Sequence, residues 1–195
     1  MYIDKELPGP IEADWSKEQE AYVPGLPIDS WHTVLSREAM HRFRAGYYAS
    51  MTHIDDQIGV LLRALPPNTM VIFTSDHGEL LGDHQWIRKT RALEGSARIP
   101  FIVRLPESMQ AEAGQVRDEP IELMDIMPTC LEAAGAEAPA DVEGESLLSL
   151  LRDGAERPAW REWVHGEMNR LGGATPATGM QYLTDGKRKY IWEPG

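Results

Sequence analysis

One run of thirty residues, Ser36 to Leu65, constrains this chain more than any other feature. Its apolar side chains fall at Met40, Phe43, Tyr47, Met51, Ile54, Ile58, Leu61 and Leu65, always three or four positions apart. That spacing draws one stripe along a helix. Ser36 is a suitable N-cap, and Pro66-Pro67 ends the element. At about 1.5 Å per residue the helix would run about 45 Å. A stripe that long needs a partner layer, so its Met and aromatic residues are expected to pack into a core. The next run, Thr69 to Thr74, is apolar and β-branched without alternation. It predicts a strand buried on both faces, as in a parallel sheet. Helix followed by strand points to an α/β layer.

The remaining elements are shorter. Residues 75–98 read as a polar functional loop with one short helix. Ile99 to Leu105 predicts a second strand. Asp125 to Ala134 predicts a helix, with Pro128 in its first turn and Gly135 just beyond its end. Ser146 to Arg152 predicts another short helix, and Glu162 to Met168 a strand. Asp185-Gly186 predicts a two-residue type I′ turn joining strands at 181–184 and 187–192. The first 30 residues, with Pro8, Pro10, Pro24 and Pro27, predict an extended lead-in. The stretch Ala133 to Glu145 reads as a linker, which divides the chain into 1–135 and 136–195.

Composition removes several functions. Thirty-one acidic against nineteen basic residues give a net charge of −12. That balance argues against nucleic-acid binding and against anionic membranes. The apolar runs fall far short of the ~18–20 residues a spanning helix needs. A single cysteine, Cys130, allows neither an internal disulfide nor a cysteine-cluster zinc site.

The chemistry gathers after the first strand, in Ser75-Asp76-His77-Gly78-Glu79-Leu80-Leu81-Gly82-Asp83-His84. In open α/β sheets ligands bind beyond the carboxyl ends of strands. Asp76 offers oxygen to a hard cation and His77 a ring nitrogen. Gly78 allows a sharp turn. Spacing alone leaves open an ordinary turn with a solvated imidazole.

Several segments, in order, resemble the later half of the sulfatase family. They are His53-Ile54-Asp55-Asp56-Gln57-Ile58-Gly59, Val71 to Glu79, Leu81-Gly82-Asp83-His84, Lys89, Glu94 to Pro100, Asp125-Ile126-Met127-Pro128-Thr129, Glu143 to Leu147 and Lys187 to Ile191. The resemblance implies an α/β fold: a partial alkaline-phosphatase-like sheet with helices, then an incomplete C-terminal α+β subdomain containing an antiparallel hairpin. It implies hydrolysis of sulfuric esters, most like bacterial arylsulfatases. It assigns Asp76 and His77 to metal ligation, with calcium as the cation and manganese or zinc as alternatives. It makes Lys89 the catalytic cation on the sulfate and the leaving-group oxygen. An ammonium suits both, because sulfate is anionic and charge develops on the departing oxygen. His84, Trp86, Arg88 and His165 are expected to line the substrate pocket. Asp55 and Asp56 are expected to pair with cations such as Arg98 rather than ligate.

The family's formylglycine nucleophile arises in a C-x-P-x-R or S-x-P-x-R motif, which this sequence does not contain. Cys130 lies in an apolar helix and is expected to be a buried structural thiol. Formylglycine is therefore expected in a missing N-terminal half, and this chain alone is expected to be inactive. Its expected partners are a sulfate ester, that N-terminal half, or further copies of itself. Two other readings stay open: a phosphonate or phosphate ester hydrolase of the same superfamily, and a non-catalytic truncated product. The first residues carry no signal-peptide pattern. The cytoplasm is slightly favoured, with export left open.

Overall fold

The computed structural model describes residues 1–17, 30–32, 34–89, 91–109, 111–152, 159–168 and 179–193. Its elements run α1 (Asp14–Lys17), β1 (Ser30–His32), α2 (Arg37–Ala64), β2 (Val71–Thr74), β3 (Trp86–Arg88), α3 (Glu94–Ala97), β4 (Phe101–Arg104), α4 (Ile126–Ala133), α5 (Leu148–Leu151), β5 (Val164–Met168), β6 (Met180–Thr184) and β7 (Lys189–Trp192). The chain forms two compact units. One comprises Met1–Pro66 with His77–Pro100, and the other Pro67–Asp76 with Phe101–Gly195.

In the first unit α2 starts where expected, with the Ala39 amide donating to the Ser36 hydroxyl at 3.1 Å. It ends at Ala64, ahead of the prolines. The described partners of the first unit meet it as far as its middle. Tyr2 bonds Thr52 at 2.8 Å and its ring lies 5.9 Å from that of Tyr48. The buried Arg44 donates to the Leu81 carbonyl at 2.7 Å. The expectation of a continuous core stripe therefore fails further along: Met51, Ile54 and Leu61 are 40%, 44% and 59% exposed. The loop after His77 contains a strand the sequence reading missed. This β3 pairs antiparallel with β1, from Ser30↔Arg88 to His32↔Trp86.

In the second unit β2 pairs antiparallel with β4, in the register Val71↔Arg104 to Thr74↔Phe101. This corrects the expectation of a doubly buried strand in a parallel sheet. A short apolar run carries no information about strand direction, and the cross-strand pair Phe73↔Ile102 is 39% and 62% exposed. On α4, Pro128 and Thr129 turn inward, and the Thr129 hydroxyl accepts from the Leu147 amide at 2.9 Å. Cys130, one position on and about 100° around the helix, is exposed, not buried.

Strands β5, β6 and β7 form an antiparallel sheet in sequence order. Gly166 on β5 lies under the Tyr182 ring, where a Cβ would collide with ring atoms. The predicted hairpin forms, but with a four-residue loop, because Thr184 faces Lys189. Asp185 explains the longer loop. Its carboxylate accepts from the amides of Lys187 at 2.9 Å and Arg188 at 2.6 Å, closing an Asx-type turn. Gly186 supplies the left-handed step, with φ +81°.

Candidate active site

The loop from His77 to Lys89 is held by an unusual backbone. Leu81, His84, Gln85 and Arg88 are all left-handed, with φ of 51°, 54°, 66° and 69°. Side chains with a Cβ avoid this region, and such residues persist only where their surroundings hold them. The holding bonds can be named. Gly78 donates to the Ser96 carbonyl at 2.8 Å, and a Cβ on Gly78 would collide with the Gly95 carbonyl. Leu80, fully buried, donates to the Arg88 carbonyl at 2.8 Å. Gly82, at φ +92°, donates to the Trp86 carbonyl at 2.8 Å. The Glu79 carboxylate accepts from the amides of Leu81 and Arg88. Arg44 reaches in from α2 and lies 3.8 Å from Asp83.

This loop brings His77 and Lys89, twelve positions apart, into contact: Lys89 Nζ lies 2.9 Å from His77 Nε2. His77 Nδ1 is 2.8 Å from the Gly78 carbonyl oxygen, which can only accept. The proton therefore sits on Nδ1, and Nε2 presents its lone pair to the Lys89 ammonium. Tyr47 of α2 stands near the same loop. Burial first, then the Glu79 carboxylate, then Tyr48, hold its hydroxyl above the ordinary 10.

The other sequence-derived residues are placed as follows. Asp76 is exposed and is the last residue of its segment of the second unit, where His77 begins the return to the first. His84 stacks on Trp15, ring centroids 4.9 Å apart, and its buried Nδ1 has no hydrogen-bond partner. Trp86 is buried, with the His32 ring at 5.0 Å and the Arg91 guanidinium over its face at 4.2 Å. Arg88 is exposed. His165 lies on β5 in the second unit, exposed and close enough to Glu122 to act on its charge. Asp55 and Asp56 are exposed on α2, and Arg98 pairs instead with Glu94 at 3.8 Å. Sequence reasoning named Glu79 within the motif but gave it no role. It also passed over Arg44, although an arginine beside the apolar stripe was a visible signal.

The donor set for a metal is partial. Among the described residues no three His, Cys, Asp or Glu side chains come together as a metal cluster. The His77 lone pair that would face a cation is taken by an ammonium. Calcium needs six to eight oxygens and structural zinc four ligands. The residues described do not by themselves cage either ion.

The mixed helices and strands, with antiparallel pairing, agree with the fold that the resemblance implies. The family model described as Sulfatase matches residues 8–136. The chain is 39% identical to an arylsulfatase of Clostridium perfringens, over 98% of this chain and 40% of that protein. It is 33% identical to the multifunctional alkaline phosphatase superfamily protein PehA of Trinickia caryophylli, over 87% of this chain and 36% of that one. A phosphonate monoester hydrolase of Agrobacterium radiobacter is 27% identical and superposes with a TM-score of 0.73, over 81% of this chain and 34% of that chain. This chain thus belongs to the sulfatase family. It spans less than half the length of these relatives.

Proposed function

We propose that this chain supplies the metal-ligand and sulfate-binding segment of a sulfuric ester hydrolase of arylsulfatase type. The observation that carries the reading is the Lys89–His77 contact at 2.9 Å inside a strained loop. An ammonium fixed on a ring nitrogen is a preformed cationic donor, and it gains strength where water is excluded. Lys89 would donate to a sulfate oxygen and to the departing ester oxygen. Trp86, His84 and Arg88 would border the organic group. Asp76 would supply one ligand to a divalent cation, calcium with manganese or zinc as alternatives, and His77 a second through Nε2 once Lys89 has left that nitrogen for the sulfate. The remaining ligands, and the formylglycine nucleophile, would come from the portion of the relatives' length that this chain does not span. Alone, the chain would be inactive.

The exposed apolar side chains Met51, Ile54 and Leu61 on α2, and Phe73 and Ile102 on β2 and β4, support a partner. That partner would be the remainder of a sulfatase domain or, failing it, further copies of this chain.

A phosphonate or phosphate ester hydrolase is the second reading. The similarity to PehA and to the Agrobacterium radiobacter hydrolase favours it. One chimera separates the readings: the matching segment of the Clostridium perfringens arylsulfatase is replaced by this chain. Aryl sulfate and aryl phosphonate hydrolysis are then compared. We expect sulfate turnover by the chimera, none by this chain alone, and a fall of about 10²–10³-fold on Lys89→Ala, the scale of one lost charge-stabilising donor. Preference for phosphonate supports the second reading. A folded chimera without either activity supports a non-catalytic product. Turnover by this chain alone removes the need for a partner.

A further inference from the structure

We infer that Glu79 is the positioning residue that delivers Lys89 to His77. The proposal rests on the reading of Lys89 above for its functional meaning, but its geometry stands apart from any activity. The two sides of the Lys89–His77 contact have separate anchors. His77 is fixed locally: its Nδ1 donates to the Gly78 carbonyl at 2.8 Å. Gly78 in turn donates to Ser96 at 2.8 Å and lies too close to the Gly95 carbonyl to carry a side chain. Lys89 follows Arg88, whose φ of 69° sets the direction in which the chain leaves β3.

An arginine does not adopt that conformation without compensation. Glu79 supplies it. One carboxylate oxygen accepts from the Arg88 amide and from the Leu81 amide, the latter at 3.2 Å. Both of these residues are left-handed and non-glycine. The side chain therefore ties the first strained residue of the loop to the last. The backbone bond from Leu80 to Arg88 at 2.8 Å closes the same bridge from its other side. A carboxylate accepting amides gives charge-assisted bonds, stronger than neutral ones. The Glu79 carboxylate also acts on the charge of the Tyr47 hydroxyl of α2. Glu79 thus bridges the two ends of the strained loop, one residue short of Lys89, and itself touches no reacting group.

The test is nuclear magnetic resonance on the labelled full chain, reading the cross-peak between the Lys89 ε-methylene and the His77 ring. In the native chain the cross-peak is expected. In Glu79→Ala it should vanish, with amide exchange at Leu81 and Arg88 faster by about 10-fold or more. The Gly78 amide, anchored on Ser96, should keep its protection. Glu79→Gln keeps an oxygen that can accept both amides, so it should restore the cross-peak. A purely structural role would lower stability in both variants without moving the His77 signal selectively. Persistence of the cross-peak in Glu79→Ala overturns the proposal. Should Glu79→Ala fail to fold, Glu79→Gln decides: a folded Gln variant without the cross-peak overturns it, and one that retains it upholds it. No substrate is involved, so an inactive chimera would defeat the functional reading without touching this result.

Discussion

The carboxylate of Asp125 is completely buried and meets the Arg161 guanidinium through two bonds of 2.7 Å. The Lys89 ammonium is half-buried and meets a ring nitrogen at 2.9 Å. Both are charges held against protein, yet they are held in opposite ways. Asp125 also accepts from the amides of Glu122 at 2.8 Å and Glu145 at 2.9 Å, so its oxygens are saturated by the second unit's own backbone. Nothing in that arrangement offers a group to a ligand. Its backbone is ordinary, and Gly144 has only to pass close to the Met124 carbonyl. Lys89, by contrast, is a donor held on a neutral acceptor at the end of a loop with four left-handed non-glycine residues. The oxygens of the ion pair are all taken, whereas the strained loop holds an ammonium on a single ring nitrogen at its end.

The largest expected effect breaks that contrast most directly. Arg161→Met leaves a buried carboxylate without its counter-charge, at a cost of about 3–5 kcal/mol. Lys89→Met removes the contact with His77 from a half-exposed pair, a contact worth about 1 kcal/mol or less. Urea denaturation of the two variants measures both. Equal losses would mean that the Lys89 contact fastens the fold as Arg161 does, and the distinction between the clusters would collapse.

Much of the scaffold was legible in the residues, for reasons that can be traced. The three-and-four spacing from Met40 to Leu65 located α2 to within a residue at each end, because capping and proline act locally. The β5–β7 strands announced themselves by short apolar runs around a turn. Strand direction did not, because β2 and β4 have the same composition whether parallel or antiparallel. The four-residue loop at 185–188 was missed because the Asp185 side chain, not the dipeptide, chose the turn. At the candidate site, adjacency of Asp76 and His77 is written in the chain, but the approach of Lys89 is not. Local propensity argues against left-handed Leu81 and Arg88, and the Glu79 carboxylate, the buried Leu80 and the Arg44 bond to the Leu81 carbonyl overrule it. Cys130 was misread because an apolar helix does not reveal which side it buries.

A smaller effect tests how closed the Asp125 cluster is. Burial raises the Glu122 carboxyl above its ordinary 4.5. Arg161 opposes the shift, Asp125 adds to it, and His165 opposes it. The folded chain therefore holds that proton more tightly than the unfolded chain does. The stability it contributes is fully present below about pH 4.5, the unfolded value, and is lost as pH rises through the folded value. Glu122→Gln should remove this loss, so the variant should show a flatter stability profile between mildly acidic and neutral pH. Denaturant midpoints across that range measure it. An unchanged profile would mean that the Glu122 carboxyl is as solvated as an ordinary surface acid, and the cluster more open than Asp125 makes it look.

The smallest effect concerns a carboxylate perturbed chiefly by backbone hydrogen bonds. Asp185 is held at about 2, first by the Arg188 amide and then by the Lys187 amide, while slight burial and the Arg188 side chain act less. Its folded value lies below the ordinary 3.8, so the stability it contributes is present above that value and is lost as pH falls through about 2. A carbon-13 titration of the Asp185 carboxyl should give a midpoint near 2, and in Asp185→Asn the Lys187 and Arg188 amides should exchange faster with the β6–β7 strands intact. A midpoint at 3.8 would mean that the Asx-type loop does not form and that a shorter turn replaces it. The strongly shifted acid of this chain then lies in an exposed hairpin with no ligand chemistry around it, while Glu122 and Arg161 shift inside a fastening network. Displaced proton affinity therefore tracks hydrogen bonding and burial here. What separates the His77–Lys89 loop from the other charged clusters is backbone strain, held by the Glu79 carboxylate together with the loop's backbone bonds and Arg44.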